Sequence, residues 1–466
     1  KRRYMIDLNA GYNGSENFAP GRRFGFFPAV SAGWCISEEP WMKNVGWVSF
    51  LKLRASYGLV GNDKYSGRRF MYLANSWTAD NTRWTDWTSA GDSGTWQFGS
   101  DYNPMMQHDA KENTVGNQSV SWEKVRKQNY GIDLKLFKSQ LTFSADLFFE
   151  NRYDILSVRR TAPSITAIDL PMMNLGKVDN HGYELALGWN SKAGEVEYWV
   201  NGNLSYSKNR IVYMDEVEPN YPWMAQTGRS TGLNYLYTFD RYLREDDFDA
   251  DGNLLKGEDG KPLLPVMALG NPRPGDALFK DLDGDGYITD DDKTWLGYAD
   301  RPEYVAGLMY GVRWKGLELS MQWTGAWHAS RLLANEYREP FGSTNSRGLL
   351  AFLADNSWTP QTQDARFPRI TFRNKTHYLT DSDIWLVDAS YLRLKNVELS
   401  YTLSLPKMEK FGLSSARFFI NGYNLLTLCS DLAKMDIDPE GNTGSASKTS
   451  NYPNIRIYNI GFSLTF

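Results

Sequence analysis

The sequence predicts an all-β fold, specifically an antiparallel transmembrane β-barrel with long external loops and short turns on the periplasmic side. Three observations predict it. Twelve stretches alternate apolar and polar residues with a period of two, the pattern that sends side chains to opposite faces of a strand. The connections between these stretches sort into long and short in turn. The last stretch, 454–466, places Tyr458, Ile460, Phe462, Leu464 and Phe466 on one face and Asn459, Gly461, Ser463 and Thr465 on the other. An edge strand this apolar is an aggregation hazard in water but not in lipid, where a closed barrel pairs it.

Taken in order, the first strand is 4–12, with Tyr4, Ile6, Leu8, Ala10 and Tyr12 against Asp7, Asn9 and Gly11. The second is 24–36, with Val30, Ala32, Trp34 and Ile36 in one register. Its Pro28 is expected at an end or bulge, since proline has no N–H for a ladder. Ser37-Glu38-Glu39-Pro40 reads as a short helical start. The third strand, 51–59, sets Leu51, Leu53, Ala55, Tyr57 and Leu59 against Lys52, Arg54, Ser56 and Gly58. A loop spans 61–120. The fourth and fifth strands (130–136 and from 141) flank the turn Lys138-Ser139-Gln140. The sixth and seventh, around Tyr183–Trp189 and Tyr198–Ser207, flank Ser191-Lys192-Ala193-Gly194. The longest loop, 212–300, is acidic and rich in Gly and Pro. Lys315-Gly316 turns the eighth strand (304–314) into the ninth, whose Leu317, Leu319, Met321 and Trp323 oppose Glu318, Ser320, Gln322 and Thr324. Loop 328–387, a tenth strand ending near Leu403, an eleventh at 416–424 and loop 426–453 complete the chain. Many apolar faces finish in Tyr or Trp, as an interfacial girdle does, while Asn201, Asn203, Glu318 and Gln322 suit a wet lumen.

Composition agrees. Across 466 residues the aromatic share is 14%, with 17 Trp and 27 Tyr, as membrane girdles and glycan sites both require. The net charge of −4 gives no reason to propose nucleic acid. Mean hydropathy is −0.52, and no run of apolar residues is long enough for a helical span. Cys35 and Cys429 alone make no disulfide framework and are expected as free thiols. Lys1-Arg2-Arg3 imitates the charged start of a leader, but residues 4–9 alternate as a strand and hold no apolar core, so the chain is expected to be a piece of something longer.

Several segments are similar to those of one family. Phe27-Pro28-Ala29-Val30-Ser31-Ala32-Gly33-Trp34, Leu51-Lys52-Leu53-Arg54-Ala55-Ser56-Tyr57-Gly58, Asn174-Leu175-Gly176-Lys177-Val178 with His181-Gly182-Tyr183-Glu184-Leu185, Asp388-Ala389-Ser390-Tyr391-Leu392-Arg393-Leu394-Lys395-Asn396-Val397 and Asn421-Gly422-Tyr423-Asn424-Leu425 resemble the SusC/RagA-like TonB-dependent outer-membrane transporters of Bacteroidetes. The resemblance implies that residues 1–466 are the C-terminal part of a barrel of about 22 strands. It also implies an N-terminal plug domain that lies outside this chain, energy supplied through TonB, and a SusD-like surface lipoprotein acting as a lid. The same likeness implies import of oligosaccharides or peptides across the outer membrane.

Two constellations carry candidate chemistry. In 281–292, Asp281, Asp283 and Asp285 occupy the first, third and fifth positions of a calcium loop, with Gly286 at the turn, the Tyr287 carbonyl next, and Asp292 at the twelfth, where the shorter Asp replaces the usual Glu. The alternative is a solvated turn whose aspartates cap backbone groups. Asp246, Asp247, Asp249 and Asp251 have poorer spacing and read as solvated loop. Trp77, Trp84, Trp87 and Trp96 are candidates for stacking on sugar rings, or for packing on their own loop or on a lid. No catalytic motif is present in the sequence, and the four histidines are scattered, so no enzyme is expected. The alternative class is a surface glycan-binding adhesin or scaffold without transport. A plug domain and a TonB box encoded upstream discriminate the two.

Overall fold

Alternation is what builds the wall. A computed structural model describes residues 3–64, 69–79, 95–100, 103–108, 110–161, 170–267, 271–334, 337–341, 348–372, 380–403, 412–429, 431–441 and 454–466. Twelve strands form one antiparallel sheet in chain order. They are β1 (Tyr4–Gly14), β2 (Phe24–Cys35), β3 (Val48–Asn62), β4 (Glu123–Leu136), β5 (Leu141–Val158), β6 (Met172–Ala193), β7 (Val196–Tyr213), β8 (Tyr304–Trp314), β9 (Leu317–Trp327), β10 (Tyr391–Leu403), β11 (Ser415–Cys429) and β12 (Ile457–Thr465). Every strand pairs with its neighbours in sequence, and β1 and β12 each pair on one side only. Several strands run past their expected ends, β6 most of all, because pairing continues above the apolar stretch.

One face of this sheet is apolar and uncovered. Leu8 is 75% exposed and Ile460 84%. Water would penalise that surface heavily; a lipid environment does not. Aromatic residues bound it in two rows. Tyr183, Tyr206, Tyr304 and Trp327 stand opposite one another across β6–β9, with tyrosine ring centroids 5.3 and 4.6 Å apart. Trp314, Leu317, Tyr401, Phe418 and Phe462 form the other row. On β8 the rows lie at the two ends, Tyr304 and Trp314. Ten residue steps on a strand tilted by about 40° span about 25 Å, the height of a bilayer-facing band.

Two expectations need correction. The alternation of long and short connections breaks at the start: 36–47, on the short-turn side, is longer than 15–23, because it folds into the 3₁₀ turn Ile36–Glu38 and an ordered link to β3. Pro28 sits inside β2 opposite Ala10 and not at an end. The pairing of β2 with β3 begins only at Ala29, so on that side no neighbour requires the missing N–H. From β4 onward the alternation holds, with the turns 137–140, 194–195 and 315–316 on one side and the long excursions on the other. Lys315 and Gly316 both take positive φ (49° and 87°), the geometry of a tight hairpin turn. Cys35 and Cys429 are not joined in a disulfide.

The buried hydrophobic clusters lie in the loops and at the strand ends. Loops 214–303, 328–390 and 430–456 share one cluster that includes Tyr237, Phe279, Leu333, Phe367, Trp385 and Leu432. A smaller cluster joins Phe18, Met71, Val120 and Trp122 to Phe27, Leu156 and Met172.

Candidate functional site: the lumenal face and its external cap

The polar face of the sheet is a lattice of paired charges. Arg54 on β3 reaches across two strands. Its guanidinium donates to both oxygens of Asp146 at 2.5 Å and to Asp133 at 3.1 Å, and Ser144 donates to Asp133 at 3.0 Å. Lys127 pairs with Glu150 at 2.8 Å and Lys124 with Asp154 at 3.1 Å. Arg313 joins Glu318 and Glu197, and Arg417 joins Glu398. Strand register explains the pattern: opposite and diagonal residues on one face fall within reach of long side chains. Asn201, Asn203 and Gln322 line a depression of about 640 Å³ together with Lys52, Asp133 and Ser144. Glu318, paired with Arg313, lies on the same polar face, as the alternation predicts.

Above this wall the long loops pack into a cap. Trp385 is fully buried and stacks on Phe367, with centroids 5.3 Å apart and rings 16° from parallel. Tyr237, from loop 214–303, packs against Phe279 at 5.3 Å in the same cluster. Short strand pairs stiffen the loops, among them Asn234–Tyr237 with Lys293–Leu296 and Ser330–Leu332 with Leu386–Asp388.

A node of charges ties the cap to the wall, and sequence reasoning missed it. Arg331 and Arg393 are each 2% exposed. Arg331 donates to the backbone carbonyls of Asp438, Pro439 and Gly441 at 3.1–3.3 Å. Arg393, on β10, donates to the Asp438 and Glu440 carboxylates at 2.8 and 2.9 Å and to the Thr427 hydroxyl at 2.9 Å. Glu440 also accepts from Lys395 at 2.6 Å and from the Asn454 side chain at 2.9 Å. Burial pushes the Asp438 carboxyl up. Hydrogen bonds from Arg393 and from the Glu440 and Asn454 N–H groups outweigh burial and hold it below the usual carboxylate range. The one signal in sequence was Asp438-Pro439-Glu440, two carboxylates set apart by a stiff residue; their arginines lie far off in the chain.

The 281–292 loop brings together Asp281, Asp283 and Asp285, whose carboxylates each place an oxygen within 4.8 Å of the others. Backbone groups already engage these carboxylates. Asp281 accepts from Gly284 and Gly286 N–H at 2.7 and 2.8 Å, Asp283 from Asp285 N–H at 3.1 Å, and Asp285 from Tyr287 N–H at 2.7 Å. Asp292 stands apart from that trio. It is fully buried and accepts from Leu282 and Thr289 N–H, both at 2.7 Å. Burial raises its carboxyl above the ordinary value. Trp223 donates to the Asp291 carbonyl at 2.7 Å and stacks on Tyr221 at 4.5 Å, so an aromatic pair borders this loop. In the second acidic cluster Asp247 grips Arg241 at 2.7 and 2.8 Å, and Asp249 accepts from Asp251 and Asn253 N–H, as turn-forming aspartates do. Trp84 and Trp87 lie outside the described residues. Trp77 and Trp96 are described only as backbone, in the strands Asn75–Ala79 and Thr95–Ser100.

Comparison with known proteins places this architecture. The chain is 24% identical to TonB-dependent receptor P3 of Formosa agariphila, over 100% of this chain and 44% of that protein. It is 22% identical to the TonB-dependent receptor SusC of Bacteroides thetaiotaomicron, over 100% of this chain and 42% of that protein. The chain's relatives are thus TonB-dependent receptors, SusC among them. No protein-family model matches the chain. The fold of this chain is that of a solved RagAB peptide importer in a closed-closed state, with a TM-score of 0.70 at 21% identity, over 100% of this chain and 46% of that one. The open-open state superposes with a TM-score of 0.71 at 20% identity. The chain thus spans less than half the length of the relatives it matches, in their C-terminal part. The wall stands in the outer membrane, with its uncovered apolar face toward lipid.

Proposed function

We propose that this chain is the C-terminal part of a TonB-dependent outer-membrane importer of oligosaccharides, or of peptides, working with a SusD-like lipoprotein lid. One observation carries the reading: a lipid-facing wall with a charge-lined inner face is joined, on one side only, to a packed external cap. The wall supplies the passage. The cap presents a preformed surface to ligand and lid. The relatives are TonB-dependent receptors, which supports outer-membrane nutrient uptake, and one matched structure is named as a peptide importer. In the same reading the 281–292 loop takes a calcium ion on Asp281, Asp283 and Asp285 with the Tyr287 carbonyl, and Trp77, Trp84, Trp87 and Trp96 meet the ligand.

The test is a clean deletion of the full gene, scored for growth on a panel of purified glycans and of oligopeptides as sole nutrient. Loss of growth on one class, restored by the gene and abolished again by removing TonB, supports import. Normal growth on every nutrient, with loss of surface adhesion to glycan, favours the adhesin instead.

A further inference from the structure

The outer face of the wall changes character above its tyrosines. On β4 to β7, Tyr130, Leu147, Tyr183 and Tyr206 pair across one row of that face. Two outward positions nearer the cap, the paired row reads Arg126, Asn151, Asp179 and Arg210. Lys208 lies between the rows on β7, and Lys177 is the next outward position on β6. All four cations are exposed. Toward the short turns the same face presents Leu134, Leu141, Trp189 and Trp314. Within these strands the outward charge is therefore confined to the end that carries the cap.

These cations differ from those inside the barrel. On the inner face Arg54, Lys127, Arg313 and Arg417 each meet a carboxylate. Outside, Lys208 stands 3.4 Å from Glu303, whose carboxylate also lies 3.0 Å from the His328 ring. Asp179 accepts from the Asn151 side chain at 2.9 Å. Arg126, Lys177 and Arg210 have no ion pair among the described residues. The Arg126 guanidinium lies 4.8 Å from the centroid of the Tyr153 ring, which steadies it. With Lys208 and Glu303 cancelling, three cations at this level face one carboxylate, Asp179.

We propose that this belt binds phosphate groups of the lipopolysaccharide in the outer leaflet. Height selects the ligand. Tyrosines mark the edge of the hydrocarbon, and the belt begins directly above them, where headgroups and not acyl chains meet the wall. Sign selects it too. The excess of cations calls for an anion, and a guanidinium meets phosphate through two parallel hydrogen bonds. Arg126 and Arg210 stand three strand spacings apart, about 14 Å, so each takes its own phosphate, with Lys177 adding to the second. A water-soluble partner would have to displace headgroups to reach residues this low on the wall. The inference rests on the long loops being external, as in barrels of this kind, and not on what the receptor imports.

Titration of the full-length receptor, stripped of lipid by detergent exchange, with labelled lipopolysaccharide tests this. Intact lipopolysaccharide is expected to bind roughly tenfold more tightly than the same material after its phosphates are removed, with the difference shrinking in high salt. Arg126→Gln with Arg210→Gln is expected to abolish most of that difference. Lys315→Gln, in the short turn between β8 and β9 at the opposite rim, keeps it. Arg210→Glu is the second variant, in case the double change prevents assembly. The heat-dependent gel shift of each variant confirms a folded wall. Equal affinity of the wild type for intact and dephosphorylated lipopolysaccharide overturns the proposal. So does equal loss in the Lys315→Gln control, which would mean attraction to net charge only. Tighter binding of phosphatidylglycerol than of lipopolysaccharide overturns it as well, by assigning the belt to a different lipid.

Discussion

The wall and the cap of this protein solve the problem of apolar surface in opposite ways. The wall spreads it outward and leaves it bare, with Leu8 and Ile460 among its most exposed side chains. The cap gathers it inward until Trp385 and Leu432 have no exposure at all. The difference follows from the solvent on each side. In lipid, the wall must satisfy its backbone through the strand ladder, and its side chains cost nothing to expose. In water, the cap must exclude solvent from its side chains, and its backbone tolerates irregular segments because turns, side chains and water complete the hydrogen bonds. Stability in the wall is thus distributed along register, whereas in the cap it is concentrated in a few buried residues.

The sharpest break in that comparison is truncation of Trp385. Trp385→Ala is expected to cost the cap about 3–5 kcal/mol, the usual range for a buried large aromatic. Limited proteolysis from the outside should then cut within 214–303 and 328–390, while the wall keeps its heat-dependent gel shift. If the wall unfolds with the cap, the two are one cooperative unit and the contrast fails.

The converse change puts charge on the bare face. Leu308 lies about midway between the aromatic rows on β8. Leu308→Arg is expected to destabilise the wall by about 2–4 kcal/mol, the depth-dependent cost of arginine near the bilayer centre. Urea titration in lipid vesicles reads it, and a shift no larger than that of Leu308→Ala would mean that this face is not in hydrocarbon.

Acid separates the regions more gently. Asp438 has a folded pKa below its unfolded value, so the node contributes stability above the ordinary carboxylate range and loses it as pH falls through that depressed value. Asp383, beside the buried Trp385, is shifted the other way by burial, so protonating it favours the folded cap as pH falls. Protease resistance of 430–456 is therefore expected to hold from pH 7 to about pH 5 and to fail only below about pH 4. Release already at pH 6 would show that another group governs the node.

The smallest expected effect belongs to calcium. Backbone N–H groups already hold Asp281, Asp283 and Asp285, so chelation should leave the cap folded and shift its melting temperature by only about a degree or two. Calorimetric titration with calcium checks the site itself, and heat absent from wild type and from Asp283→Asn alike removes it.

The wall was legible because its signal is local. Alternation in 304–314 or 317–324 is set by which residues meet lipid, and neighbouring residues carry it. The cap was not legible, although the loops that build it were located. Tyr237, Phe279 and Trp385 meet from positions far apart in the chain, in segments whose strands last two to four residues, too short for a period to show. The Arg331 and Arg393 node failed for the same reason, since its carboxylates are remote in sequence. The calcium-like loop was read from spacing, and spacing found the three converging aspartates; it did not foresee that Asp292 would turn to Leu282 and Thr289.

The node has one further consequence, for how the molecule is put together. Its parts come from Arg331 in the short strand beyond β9, from Arg393 on β10, and from the segment between β11 and β12. They meet only if those strands are aligned correctly, because a slip of one residue turns every side chain to the other face. A wall assembled out of step would carry Arg393 toward lipid and leave the cap open to proteases. The cap thereby reports on the wall beneath it: only a correctly aligned sheet brings the parts of the node together.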